Sequence, residues 1–202
     1  MSNRVNSIRG FTFCYAYYGT MPIRSECEFL GLPAFGNAPS FPLGSVLQMS
    51  TYTNLLFHII YSTKYRKPTI DSVWQDELYA YIGGILRDSR GVLLKAGGIE
   101  DHIHLLAKLP PTIAVSDMLR LIKTNSSKWI NEVKKPKKAF EWQPGYGAFS
   151  VSESQVSAIE AYISNQREHH QTRTFQEEFL LLLKKHNIEY DVRYVFEQET
   201  IQ

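Results

Sequence analysis

Four side chains in this sequence have the types and spacing to do chemistry together: His102 and His104, then Tyr162 and Gln166. Residues at i and i+2 of a strand point to one side about 7 Å apart, so the two imidazoles of His102-Ile103-His104 could reach a single cation. Residues at i and i+4 of a helix share a face, which sets the phenol of Tyr162 beside the amide of Gln166. Two nitrogens and one neutral amide oxygen leave coordination positions open for water and phosphate oxygens. That mixture suits Mg²⁺ or Mn²⁺ better than structural zinc. A phenol ionises near pH ~10, so a nearby cation or base must help it to act as a nucleophile. Attack on a phosphodiester would give a phosphotyrosine ester, which conserves the bond energy and can be resealed onto another 3′-OH. Solvated histidines and a tyrosine with a packed ring would satisfy the same spacings, so the elements that carry them decide the matter.

Asn54–Lys64 (NLLFHIIYSTK) alternates as a strand, with Leu55, Phe57, Ile59 and Tyr61 toward a core and His58, Ser62 and Lys64 the other way. Asp71 is a helix N-cap candidate, and Val73–Leu86 carries Val73, Leu78, Tyr81, Ile82 and Ile85 at helical spacing. Val92–Ala96 reads as a second strand, followed by turn chemistry at Gly97-Gly98 and Glu100-Asp101. In His102–Leu109 the period of two sets Ile103, Leu105, Ala107 and Leu109 on one face and His102, His104, Leu106 and Lys108 on the other. A helix follows from about Ile113 to Val133, with Met118, Leu119, Ile122, Trp129 and Ile130 inward, and Tyr146–Val151 is a fourth strand.

The order from Asn54 to Val151 is β-α-β-β-α-β. It predicts an α+β chain with a ferredoxin-like antiparallel sheet and both helices on one face. The other face stays open, and parity puts His102 and His104 on it. Ser152 and Gln155 form a capping-box pattern that starts the helix bearing Tyr162, the first element free to cover that face, in its own subunit or a partner's. Thr174 and Glu177 form a second such pattern for a last helix, Phe175–His186, and the tail Ile188–Phe196 is apolar at intervals that suit docking back.

Composition bounds the rest. The 202 residues carry a formal charge of +2, too small to diagnose a nucleic-acid binder, yet Arg120–Lys138 holds seven basic residues against the single acid Glu132. No apolar run approaches the ~20 residues of a membrane span, so a cytoplasmic protein is expected. Both cysteines, Cys14 and Cys27, precede residue 49, which removes thiolate chemistry from the rest of the chain. Residues 1–48 hold four of the nine prolines and five of the twelve glycines with no sustained period. They are expected to be an irregular extension, either a disordered tail or the product of a start upstream of Met49, with the functional domain spanning 49–202.

The blocks EDHIHLLAKLPP (100–111), WQPGYGAFSVSES (142–154), YISNQREHH (162–170) and FQEEFLLLLKKHNIEYD (175–191) resemble the single-tyrosine HUH transposases of single-stranded-DNA insertion sequences and their REP-associated relatives. The resemblance covers about Thr51–Phe196 and holds four separated blocks in order. It implies His102 and His104 as the metal pair, Gln166 as third ligand, Tyr162 as nucleophile, and Mg²⁺ or Mn²⁺ as cofactor. It further implies a homodimer that exchanges the Tyr162 helix, so that active sites are shared between subunits, and a substrate of single-stranded DNA with hairpin ends. Lys64, Arg66, Lys67, Arg120, Lys123 and Lys128 are the candidate DNA contacts. His169 and His170 lie in a resembling block without an assigned role. A transposase that cleaves and rejoins single-stranded DNA is the leading expectation. A domesticated relative that nicks repeats, and a non-catalytic single-strand-binding module, are the alternatives.

Overall fold

The structure is a computed structural model, and it describes residues 52–196. The expectations for residues 1–48 and for a start at Met49 lie outside the described residues.

Four strands form one antiparallel sheet: β1 (Leu56–Ser62), β2 (Val92–Ile99), β3 (His102–Lys108) and β4 (Gly147–Val151), in the order β2-β3-β1-β4. Helix α1 (Gln75–Asp88) connects β1 to β2, and α2 (Val115–Trp129) connects β3 to β4. This is the ferredoxin-like βαββαβ arrangement expected from the order of elements. Both helices pack on one face, where Ile59, Tyr61, Ile103 and Leu105 meet Leu78 and Ile82 of α1 and Met118 and Ile122 of α2. Tyr61 and Trp142 meet edge to face at 4.9 Å, and the Trp142 indole donates to Ser126 Oγ (2.9 Å).

Several boundaries moved, each for a local reason. Asp71 Oδ1 accepts the Val73 N–H in a turn, so the helix starts only at Gln75 and Val73 is exposed while Trp74 takes the buried place. Leu55 precedes β1 and is likewise exposed, its carbonyl accepting the Leu109 N–H. The helical run after Pro111 ends in a π-helical turn, Ile130–Lys134, closed by the Lys135 N–H on the Ile130 carbonyl. Asn131 then clamps Phe140 by both of its amide groups, which brings the chain back toward β4.

Strand β2 runs to Ile99, with a bulge between Leu93 and Lys95, so Gly97 and Gly98 belong to the sheet rather than to a turn. The reason lies in what sits above them. A Cβ on Gly97 would overlap the carbonyl of Ile163, so the glycine lets a helix backbone rest directly on the strand.

That helix is part of a second layer. The face expected to be open is covered within the chain by α3 (Val156–Ser164), the single turn α4 (Gln166–His169) and α5 (Phe175–Lys185). Ser152 does not cap α3: its hydroxyl pairs with Ser154, and a 3₁₀ turn at Glu153–Gln155 comes first. The Thr174–Glu177 box does form and starts α5. Phe175, Phe179 and Leu183 of α5 pack on Ile60 and Phe149, and Phe196, just after the short helix α6 (Val192–Val195), docks against Phe179. No helix among the described residues is long and apolar enough to cross a membrane.

Candidate active site

The helix layer closes over a polar cluster built on the centre of the sheet. His58, His102 and His104 share the face of Ile60 and Ser62, and all five are buried. Strand register explains their approach: His104 pairs with Ile60 and His58 with Leu106, which leaves the two imidazoles diagonal neighbours. Their rings stack with centroids 5.2 Å apart, and His58 Nε2 lies 2.9 Å from His104 Nδ1. His102 turns its Nδ1 onto Asp101, the last residue of the β2–β3 turn, at 2.6 Å. Both histidines of the His-x-His pair therefore have Nδ1 engaged and direct Nε2 toward the helices.

From above, Gln166, Tyr162 and Glu178 reach the same point. The helix expected to run unbroken through Gln166 pauses at Asn165 (φ −96°, ψ 20°) and resumes for one turn. Gln166 is buried on that turn, its Oε1 3.4 Å from His102 Nε2 and 3.0 Å from His170 Nε2. Its amide Nε2 donates to Glu178 Oε1 (3.1 Å), and the Tyr162 hydroxyl donates to the same oxygen. Glu178 Oε2 lies 3.3 Å from His104 Nε2, 3.7 Å from His102 Nε2 and 3.2 Å from His170 Nε2. His102, His104, His170 and Glu178 each offer an atom within 4.8 Å of the others.

The four residues singled out for chemistry are thus brought together, and three more join them. Glu178, His58 and His170 had no role in the sequence reading. A signal for Glu178 existed: it stands three residues after Phe175 and one before Phe179, on the inward stripe of its helix. His169 stays on the surface, its ring 4.9 Å from that of Tyr162.

Burial governs the electrostatics. Taken out of water, His58 is pushed down to about 3, helped by the neighbouring His104, and His104 to about 4 against the pull of Glu178. Both rings are neutral at pH 7. Burial would raise the Glu178 carboxyl, but the hydrogen bonds it accepts from His170 and Tyr162 help to outweigh burial and hold it well below the usual carboxylate range. His170 has both ring nitrogens against oxygens that only accept, the Arg173 carbonyl (2.8 Å) on one side and Gln166 and Glu178 on the other. That geometry demands a proton on each nitrogen. Burial pulls its pKa down, but Glu178 prevails and the net shift is upward. The Tyr162 phenol is pushed above its ordinary value by burial and by the adjacent Glu178 carboxylate.

A cation fits this donor set. His104 Nε2 is fully buried and makes no hydrogen bond, since its approach to Glu178 is poorly directed. An orphaned buried nitrogen is costly, and a metal ion would satisfy it. Beside the cluster a cavity of about 780 Å³ opens onto Tyr162 and Glu178, with Arg173, Lys185 and His186 in its walls.

None of the six basic residues named from sequence lines that cavity. Lys64 pairs with Glu141, Arg120 with Asp117 (2.9 Å) and Lys128 with Glu132 (3.9 Å). Arg66 lies over the Phe196 ring and Lys67 over Tyr65. Lys123 donates to the carbonyls of Gln143, Pro144 and Gly145 and lies 4.7 Å from the Tyr61 ring centre, a structural post for that loop. Lys64, Arg120 and Lys123 line a separate groove of about 460 Å³ with Trp142 and Tyr146.

The chain is similar to several known proteins. The chain is 30% identical over 128 residues to the transposase for insertion sequence element IS200 of Salmonella typhimurium, covering 58% of this chain and 80% of that one. It is 25% identical over 119 residues to the ISDra2 transposase TnpA of Deinococcus radiodurans, with 56% and 85% covered. Among solved structures it is similar to a candidate transposase of Deinococcus radiodurans (25% identity, TM-score 0.48, 58% of this chain and 95% of that one). A REP-associated tyrosine transposase bound to a REP hairpin is also similar (16% identity, TM-score 0.47, 74% and 93% covered). The family model described as "Transposase IS200 like" matches residues 51–166, more than half of the sequence, and the chain belongs to that family.

Proposed function

We propose that this chain is a metal-dependent tyrosine DNA-strand transferase that cleaves and rejoins single-stranded DNA at the ends of a mobile element. The observation that carries the reading is the convergence of the Tyr162 hydroxyl, His102, His104 and Gln166 on one buried carboxylate beside an open cavity. Members of the family act on DNA strands, and the cavity has basic walls suited to a phosphodiester.

In this reading the Tyr162 oxygen attacks the scissile phosphorus and the P–O3′ bond breaks. The 3′ oxygen leaves and takes up the proton that the Tyr162 phenol gives up, and a 5′-phosphotyrosine remains. Reversal by a different 3′-OH completes strand transfer. His102, His104 and Gln166 would hold Mg²⁺ or Mn²⁺, whose positive charge offsets Glu178 and polarises the phosphate. Glu178 holds the Tyr162 hydroxyl in place, and Arg173 and Lys185 stand where strand phosphates would enter. Tyr162 touches histidines of its own chain, so this reading needs no exchange of the helix; a homodimer would pair two complete sites. The DNA partner would be a single strand with hairpin ends, as the family resemblance implies.

The test is a labelled single-stranded hairpin carrying an element end, incubated with Mn²⁺ or Mg²⁺. A covalent adduct that survives denaturation and is absent in Tyr162→Phe is the expected result. Binding without adduct under either metal would sink the transferase. Mixing Tyr162→Phe with His104→Ala chains should give no adduct, and restored adduct would put nucleophile and histidines on different subunits.

A further inference from the structure

The oxygens facing the Nε2 atoms of His102 and His104 come from two side chains, Gln166 and Glu178, and the resemblance gives a role only to the first. Its place is unusual for an acid. It lies on the inward stripe of α5, 2% exposed, with no lysine or arginine paired to it among the described residues. A buried carboxylate of this kind must be compensated. Protonated His170 accounts for part, because both its ring nitrogens face acceptors and neither can offer a lone pair to a metal.

The remaining contacts do not behave as hydrogen bonds. His102 Nδ1 faces the acceptor-only Asp101 carboxylate, so its proton sits there and Nε2 carries the lone pair. For His104, a proton on Nε2 would have to point at Glu178, and the contact is too poorly directed for that. Nδ1 therefore donates to His58, and Nε2 again carries a lone pair. Two nitrogen lone pairs thus face a carboxylate oxygen at 3.3 and 3.7 Å, and Gln166 Oε1 stands 3.4 Å from one of them. Ligands about 2.1 Å from a common cation are separated by about 3.0 Å at octahedral edges and about 3.4 Å at tetrahedral ones. Lone pairs turned toward one another at that spacing describe a coordination set.

We propose that Glu178 is a direct ligand of the same cation as His102, His104 and Gln166, through Oε2, while its Oε1 tethers the Tyr162 hydroxyl to the metal site. This rests on the metal-dependent reading above and deepens it. A carboxylate brings one unit of negative charge that an amide ligand lacks, so it strengthens binding of a hard divalent ion. The same carboxylate fixes the nucleophile relative to that ion.

The experiment measures metal binding rather than turnover, on the full chain with Mn²⁺ alone as probe. Calorimetric titration should show affinity lowered tenfold or more in the near-isosteric Glu178→Gln, and lost in His104→Ala. Glu178→Cys loaded with Co²⁺ should show a thiolate-to-cobalt charge-transfer absorption, which an acid that merely orients its neighbours would not produce. Unchanged Mn²⁺ affinity in Glu178→Gln, or Co²⁺ bound to Glu178→Cys without that absorption, would overturn the assignment. Adduct formation is scored separately on the same samples. Its absence beside a Glu178-dependent affinity counts against strand transfer and for the ligand.

Discussion

The two faces of one sheet are built on opposite principles. Toward α1 and α2, Ile59, Tyr61, Ile103 and Leu105 make a conventional apolar core. Toward α3–α5, the alternate residues of the same strands include His58, His102 and His104, buried just as completely. Burial is therefore not what separates core from site here. On the first face it removes hydrocarbon from water and stabilises the fold. On the second it strips water from imidazoles and a carboxylate, which costs stability and is tolerated where the groups pair with one another or with a cation.

The contrast can be broken at its strongest point first. Leu105→Ala on the apolar face should cost about 2–5 kcal/mol, read from denaturant unfolding, because a filled core position becomes a cavity. An equal loss from His104→Leu, which fills its site with hydrocarbon, would erase the distinction between the faces. Acid should act only on the polar face. His58 and His104 have folded pKa values of about 3 and about 4, below the ordinary 6.5. The unfolded chain then binds more protons, so stability is full above pH 6.5 and declines as pH falls toward 4. The slope approaches about 1.4 kcal/mol per pH unit for each ring at its limit, with Glu178 adding in the same direction at lower pH and His170 opposing. Unfolding midpoints between pH 7 and 4.5 should follow that decline, and His58→Phe should flatten it. Stability that rises on acidification would contradict the assignment.

A finer probe is Gly97→Ala, which sets a Cβ against the Ile163 carbonyl and must lift α3 from β2. A loss of about 1–3 kcal/mol is expected, with reduced adduct formation because Tyr162 moves as well. Smallest of all, Lys128→Ala on the exposed surface of α2 should change stability by less than about 0.5 kcal/mol.

Much of this was legible from periodicity. A period of two along His102–Leu109 is enough to separate Ile103 and Leu105 from His102 and His104, and the order of elements leads to the sheet. What escaped depends on contacts between segments distant in sequence. His58 acquires its meaning only once register makes it the diagonal neighbour of His104. Glu178 follows the capping Glu177, so it reads as one of two acids favourable to the first turn of a helix, and its inward position matters only when something lies beneath. Gly97-Gly98 resembles turn chemistry because the backbone that needs the notch belongs to residues more than sixty positions later. Lys123, a basic residue that sequence offers to DNA, also meets three carbonyls that only the folded loop brings to it.

Chain order also imposes a sequence of events. The elements of the apolar face are complete by the end of β4 at Val151, while every cover of the polar face comes later, ending with α5. During synthesis the sheet can pair and bury its first face while His58, His102 and His104 still face water, where neutral or charged imidazoles are equally at ease. The pairing of Glu178 with His102 and His104 joins segments more than seventy residues apart and can close only once α5 exists, since such long-range contacts bear a large ordering cost before they are rewarded. A ribosome-arrested chain ending before α5 would thus present the histidines open to solution, without the acid that draws them together.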